Sequence, residues 1–329
     1  MSDTLQASRM VSATNRCWTQ QVQESPADDR RGSDVAVPVP HEFVHRPMTE
    51  DILITSWQRM GHDHFSVIAQ WPHNHPYFTP NHGRHHPILA GETIRQAGLL
   101  VSHTEFAVPL GYHFILDDIV YTTDPEHRVT GSGPTPVTID VVCSQTRMRA
   151  GALACGNFGM TLRTGGRVVV TGQSHVSVTS PAVYRRIRGE RITARPVPGP
   201  LPAPVPAELT GSADERDVLL SPTGRPGQWL LRVAPDHPTV VNPANDHVPG
   251  LSLLDAAQQA ARALTGSASF VPYAFATEFH RYAEHGLPCL IEARRRASAI
   301  PGTTTVRVTG VQDGAPVFTS TLTSFAPLP

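Results

Sequence analysis

The strongest constraint on this chain is a passage it carries twice. HHPILAGETIRQAGLLVSH runs over His85–His103, and DHVPGLSLLDAAQQAARAL runs over Asp246–Leu264. Each is an apolar, helix-forming stretch with a carboxylate near its start, Glu92 in the first and Asp255 in the second. The echo extends upstream: Asn74, His75 and Pro76 close a strand before the first helix, and Asp236, His237 and Pro238 close one before the second. His75 precedes Glu92 by 17 positions and His237 precedes Asp255 by 18. Matching text, spacing and element order point to an internal duplication, with each copy long enough to bury its own core.

The element pattern within a copy is one helix followed by strands. Ile88, Leu89, Ile94, Ala97, Gly98 and Val101 can share one broad apolar surface, so a helix is expected over 88–102. Its glycines and its few outward charges suggest that it is enclosed by other structure. FSVIAQW lies before it; YHFILDDIVYTT, PVTIDVVCSQTRMR, ALACGNFGMTLRT and RVVVTGQSHVSVT lie after it, β-branched runs separated by turn formers. The second copy reads the same way: WLLRVAP, a helix over 251–264, then FVPYAFATEFHRYA, LPCLIEARRRA, TTTVRVTGV and APVFTSTLTSF. RPVPGPLPAPVP between them favours extended polyproline II and withholds backbone donors from a sheet. The expected division is a polar, loosely attached tail over 1–39, a first domain over 40–195, a linker over 196–207 and a second domain over 208–329.

Bulk properties limit the partners. Among 329 residues, 27 Lys plus Arg stand against 28 Asp plus Glu, a formal net charge of -1, so no long-range field favours nucleic acid or an anionic membrane. Arginine supplies the basic charge, and its planar fork suits a phosphate or carboxylate ligand. Cys17, Cys143, Cys155 and Cys289 lie in unrelated contexts without a CxxC, which indicates neither a zinc knuckle nor a disulfide framework. No apolar leader or membrane-length run is evident, and the chain reads as reduced and cytoplasmic.

The chain resembles the A-factor biosynthesis proteins, butyrolactone synthases with tandem hotdog domains, through HPILAGETIRQA in the first half and DHVPGLSLLDAAQQA in the second. The resemblance runs from about His41 to Pro327. It implies an α+β chain of two hotdog folds, each an antiparallel sheet wrapped around a long central helix, paired as a pseudo-dimer within one chain. It further implies an acyltransferase that joins a β-ketoacyl group, carried as a thioester on acyl carrier protein, to the hydroxyl of dihydroxyacetone phosphate. The product would feed a γ-butyrolactone, butenolide or furan signal controlling antibiotic production. No cofactor or metal is expected, and further homodimerisation is left open.

Glu92 and Arg95, three apart on one helix, match the ExxR motif of the family and are the leading catalytic candidates, Glu92 to activate or fix the alcohol and Arg95 to hold the phosphate. As residues alone, the same pair also reads as a helix ion pair. In the second copy Asp255 replaces Glu and Gln258 stands where Arg is general, so Asp255 is a third catalytic candidate on a weaker footing. Gln96 and Gln259, in matching places, can donate to a thioester carbonyl or serve backbone groups. His86 and His247 precede the two helices as acid or base candidates, or as loop caps. His73, His75, His82, His85 and His86 match no common zinc spacing, and His75 and His237 suit the turns out of their strands. Arg294, Arg295 and Arg296 would fit an acidic carrier protein or plain solvated surface. Two rival readings remain: a hotdog dehydratase, against which the absence of HFPG counts, or thioesterase, which would leave Arg95 without a phosphate to bind; and a non-catalytic acyl or butyrolactone binding protein.

Overall fold

A computed structural model describes residues 39–325 apart from 79, 81, 82, 128, 130, 197–199 and 267–269. The expected tail up to residue 38, Cys17 included, and His82 therefore lie outside the described residues, as does the early part of the proline-rich linker.

The two copies share one continuous antiparallel sheet. The first contributes β1 (Ile54–Arg59), β2 (His64–Trp71), β3 (His113–Thr123), β4 (Thr135–Arg149), β5 (Ala152–Thr164) and β6 (Arg167–Thr179). The second contributes β7 (Leu220–Pro222), β8 (Gln228–Leu231), β9 (Pro272–Phe279), β10 (Leu290–Arg296), β11 (Thr303–Gln312) and β12 (Ala315–Phe325). The strand order is β1-β2-β4-β5-β6-β3-β9-β12-β11-β10-β8-β7. Read outward from the β3–β9 seam, the halves run in the same order, so the seam marks a pseudo-twofold relation. Asp118 faces Glu278 and Thr122 faces Ala274 across it.

Each half wraps one helix: α2 (Pro87–Thr104) in the first and α5 (Gly250–Thr265) in the second. Helix α2 starts where Pro87 supplies a preset φ and the His86 ring accepts the Ile88 N–H. Fifteen of its 18 residues are buried, which explains why hydrophobic residues surround it instead of forming a stripe. Ile88, Leu89, Ile94 and Leu100 are wholly buried, each contributing roughly 2 kcal/mol. Helix α5 ends at Gly266, whose φ of 63° closes the last turn onto the Arg262 carbonyl. The helices meet at Gly91, where a Cβ would stand 3.0 Å from Leu254 Cδ2 and 3.2 Å from Tyr121 Cε1.

Both expected helices are present, each extended at its two ends. The expected WLLRVAP strand closes at Leu231, because the Arg232 N–H turns to the Leu219 carbonyl and its side chain binds backbone oxygens. Five elements were not anticipated. These are β1, the short β7, a helix α3 (Pro181–Arg188) after β6, and a matched pair of one-turn helices, α1 (His41–Val44) and α4 (Ala207–Thr210). Each of the last two ends on a left-handed residue, His45 or Gly211, and leads to a 3-10 turn, Thr49–Asp51 or Glu215–Asp217. The duplication thus starts well upstream of the histidine turns.

Helix α3 ties the first half to the second. Tyr184 donates to Asp246 Oδ1 at 2.8 Å, Arg188 Nε donates to Asp246 Oδ2 at 2.8 Å, and the Arg188 fork donates to both Glu284 oxygens at 2.7 Å. Burial would raise the Asp246 pKa, yet His247, Arg188 and Tyr184 together hold that carboxyl well below the usual range. Among the described residues no helix is long and apolar enough to cross a membrane.

Candidate active site between the two helices

Each half builds the same scaffold beneath its helix carboxylate. In the first, Gln96 accepts the Leu53 N–H at 2.9 Å and donates to the Asp51 carbonyl at 2.7 Å. In the second, Gln259 accepts the Leu219 N–H at 2.8 Å and donates to the Asp217 carbonyl at 2.8 Å. Both amides are thereby committed to backbone groups that would otherwise be buried without partners. The histidine turns are equally alike. His75 meets Asp51 at 3.0 Å and accepts the Tyr77 and Phe78 N–H groups; His237 meets Asp217 at 2.9 Å and accepts those of Thr239 and Val240.

On this shared scaffold the two carboxylates live in different surroundings. Glu92 is fully buried and held by four donors: Oε1 accepts from Arg46 Nε at 2.8 Å, Arg95 Nη2 at 2.8 Å and Gln96 Nε2 at 2.6 Å, while Oε2 accepts from Arg95 Nε at 2.8 Å. Burial alone would raise its pKa, but the Arg46 and Arg95 guanidiniums outweigh burial and hold the carboxyl far below the ordinary range. Arg46 also donates to the Thr239 carbonyl at 2.5 Å, so this first site is completed from the second half. Arg95 keeps about a quarter of its side chain exposed, and its Nη1 makes no hydrogen bond among the described residues.

Asp255 is 2% exposed and has no guanidinium hydrogen-bonded to it among the described residues. Its Oδ2 accepts from the hydroxyl of Tyr77, a first-half residue, and from Gln259 Nε2 at 3.0 Å. Its Oδ1 and the Oε1 of Gln258 are buried with no hydrogen-bond partner. His86 lies on this second site: its ring sits 5.4 Å from that of Tyr77, and burial lowers its pKa while the Asp255 charge opposes the shift. His86 also walls a crevice lined by Trp71, Arg84, His85, Ala90 and Tyr273.

The remaining candidates sort by contact. His247 joins the α3 clamp, 2.7 Å from Asp246 and 4.7 Å from the Tyr282 ring, so its partners are interface residues. Burial pushes His45 down to about 3 and His85 down to about 4, keeping both rings neutral at ordinary pH. Cys143 and Cys289 are raised to about 12 by burial, which makes both poor nucleophiles. Arg294, Arg295 and Arg296 are exposed on β10. No group of three or more His, Cys, Asp or Glu side chains among the described residues is arranged for a metal.

Two site members escaped the sequence reading. Arg46 lies far upstream of the motif, and the matching place in the second copy carries Ser212, so no repeated letter marks it. Tyr77 follows the histidine turn directly, but its partner Asp255 is 178 residues away. The repeated turn was the only available signal, since it brings the following residues toward the other half's helix.

Comparison with known proteins agrees with this architecture. The family model of the A-factor biosynthesis hotdog domain matches residues 27–180 and again 193–327. A 2-oxo-3-(phosphooxy)propyl 3-oxoalkanoate synthase from Streptomyces griseus is 44% identical over 291 residues, covering 88% of this chain and 96% of that protein. One of the same name from Streptomyces coelicolor is 44% identical over 300 residues, covering 91% and 95%. Among solved structures, one described as an oleoyl thioesterase from Lactobacillus plantarum superposes with a TM-score of 0.51 at 13% identity, covering 80% of this chain and 97% of that one, a likeness of fold alone. With two matches of one family model spanning its two halves, the chain belongs to the A-factor biosynthesis hotdog domain family.

Proposed function

We propose that this chain is an acyltransferase that joins a β-ketoacyl group from an acyl carrier protein thioester to the hydroxyl of dihydroxyacetone phosphate, making the phosphorylated ester precursor of a γ-butyrolactone or related signal. The observation that carries this reading is the charge balance at the first site. Two guanidiniums surround one carboxylate, leaving a net positive centre, and Arg95 keeps one open fork nitrogen on its exposed side. That arrangement suits a phosphate. The names of relatives 44% identical over most of the chain support the same reaction. Glu92 then acts as the anchor that orients Arg95, and Asp255 faces the reacting hydroxyl. The division into domains over 40–195 and 208–329 belongs to this proposal, as does an acidic carrier protein docking on exposed arginines such as Arg294, Arg295 and Arg296.

The test is mass spectrometry of the protein incubated with a β-ketoacyl thioester and dihydroxyacetone phosphate. A phosphorylated ester, or its butenolide, is expected. Free β-keto acid as the sole product would assign hydrolysis instead, and binding without turnover would assign a non-catalytic binder.

A further inference from the structure

The two helix carboxylates are not interchangeable, and the difference divides the labour between the halves. Glu92 has four donors on its two oxygens, two of its partners are guanidiniums, and it is wholly buried, so its charge is already answered within the protein. Asp255 is nearly as buried but has one oxygen taken and one unpartnered. Gln258, one turn along the same helix, presents a second unpartnered acceptor and is 4% exposed. Two buried, unpartnered acceptors three residues apart on one helix face suit a donor, and a buried acceptor left unpaired costs on the order of 1–3 kcal/mol. The ligand chemistry that answers them is a neutral hydroxyl group.

We infer that Asp255 Oδ1, with Gln258 beside it, receives the hydroxyl of the acyl acceptor and is the general base of the reaction, and that Tyr77 is a positioning residue supplied by the other half. This inference rests on the proposed acyl transfer. The acceptor oxygen forms a C–O bond to the thioester carbonyl carbon while its proton passes to Asp255 Oδ1. The C–S bond then breaks, and Asp255 returns the proton to the departing thiolate, so the products are one ester and one free thiol. Tyr77, kept protonated by burial and by the Asp255 charge, holds Oδ2, while Oδ1 is left without a partner and able to accept. The other charged or titratable groups facing Asp255 are His86 at the start of α2, Tyr121 on β3 and Arg262 on α5, with Asp217 beside Tyr77.

The experiment crosses a substrate deletion with a protein substitution. Dihydroxyacetone phosphate and its analogue with the hydroxyl replaced by hydrogen are titrated calorimetrically into wild type, Asp255→Asn and Tyr77→Phe. The two substitutions are nearly isosteric, and circular dichroism checks their folding. In wild type the hydroxyl compound should bind at least about tenfold tighter, and Asp255→Asn should erase most of that ratio. Equal ratios in wild type and Asp255→Asn would overturn the inference, whether or not any ester forms. In turnover, Asp255→Asn should lower kcat by about 100-fold or more. Tyr77→Phe should lower kcat by about tenfold with little change in KM for the thioester, because the carboxylate loses the donor that fixes its orientation. Turnover abolished in Glu92→Gln but kept in Asp255→Asn would assign the base to Glu92. Wild type that discriminates the hydroxyl yet yields no ester would reject the acyl-transfer reading and keep the hydroxyl site.

Discussion

Removing Arg46 tests whether the first site is a buried charge cluster whose members depend on one another. Arg46 is 8% exposed, donates to Glu92 Oε1 at 2.8 Å and reaches the Thr239 carbonyl of the other half at 2.5 Å. In Arg46→Met the aliphatic bulk stays, while Glu92 keeps only Arg95 and Gln96 and the Thr239 carbonyl loses a donor. Breaking a buried pair from one side costs about 3–5 kcal/mol, because the remaining charge is left poorly compensated. At about 2 °C per kcal/mol for a chain of this size, the melting midpoint should fall by roughly 6–10 °C. Scanning calorimetry of the wild type, Arg46→Met, Glu92→Leu and the double variant completes the cycle. The double variant should recover more than 1 kcal/mol relative to the sum of the single losses, since no orphaned charge remains. A single variant within about 0.5 kcal/mol of wild type, or strictly additive losses, would refute the cluster as described.

Gln259→Ala removes the partner of the buried Leu219 N–H and Asp217 carbonyl, and chemical denaturation should show a loss of about 2–4 kcal/mol; an effect below half a unit would contradict the scaffold role. Gly91→Ala gains helix propensity but forces a methyl against Leu254 and Tyr121, so calorimetry should report a net loss of about 1–3 kcal/mol, and a rise in midpoint would show that the helix crossing yields easily. Acid should destabilise the native state in a definite direction. Glu92 and Asp246 have folded pKa values depressed by their cationic partners, so their contribution is complete above the ordinary carboxylate range and is lost as pH falls through it toward the folded values. Unfolding midpoints measured from about pH 7 to pH 3 should decline, most steeply below about pH 4.5, and a flat profile would count against both networks.

Much of the architecture was written in local patterns. The repeated HPILAGETIRQA and DHVPGLSLLDAAQQA passages located both central helices, and alternation of β-branched residues located most strands. What stayed hidden has a common cause. β7 is only three residues long, too short to display a period, and α3 carries three arginines, so its two buried residues, Tyr184 and Arg188, do not look like a core face. The site was half legible. Glu92, Arg95, Asp255 and the two glutamines announce themselves by position in the repeat. Arg46 and Tyr77 are defined by contacts across the halves, and no spacing rule reaches a partner 178 residues away. Residue type and motif make Glu92 a base candidate, and the four donors on its oxygens, which suit an anchor, are contacts that sequence spacing does not carry.

The unbroken sheet across the β3–β9 seam also bears on how such a chain can change over time. In a dimer of identical subunits every substitution is made twice, so a replacement that improves one site while damaging the other is caught between the two effects. Covalent fusion releases that coupling. The two copies are then free to differ at matching places, as Arg46 and Arg95 in one stand against Ser212 and Gln258 in the other, and each helix carboxylate can keep surroundings of its own.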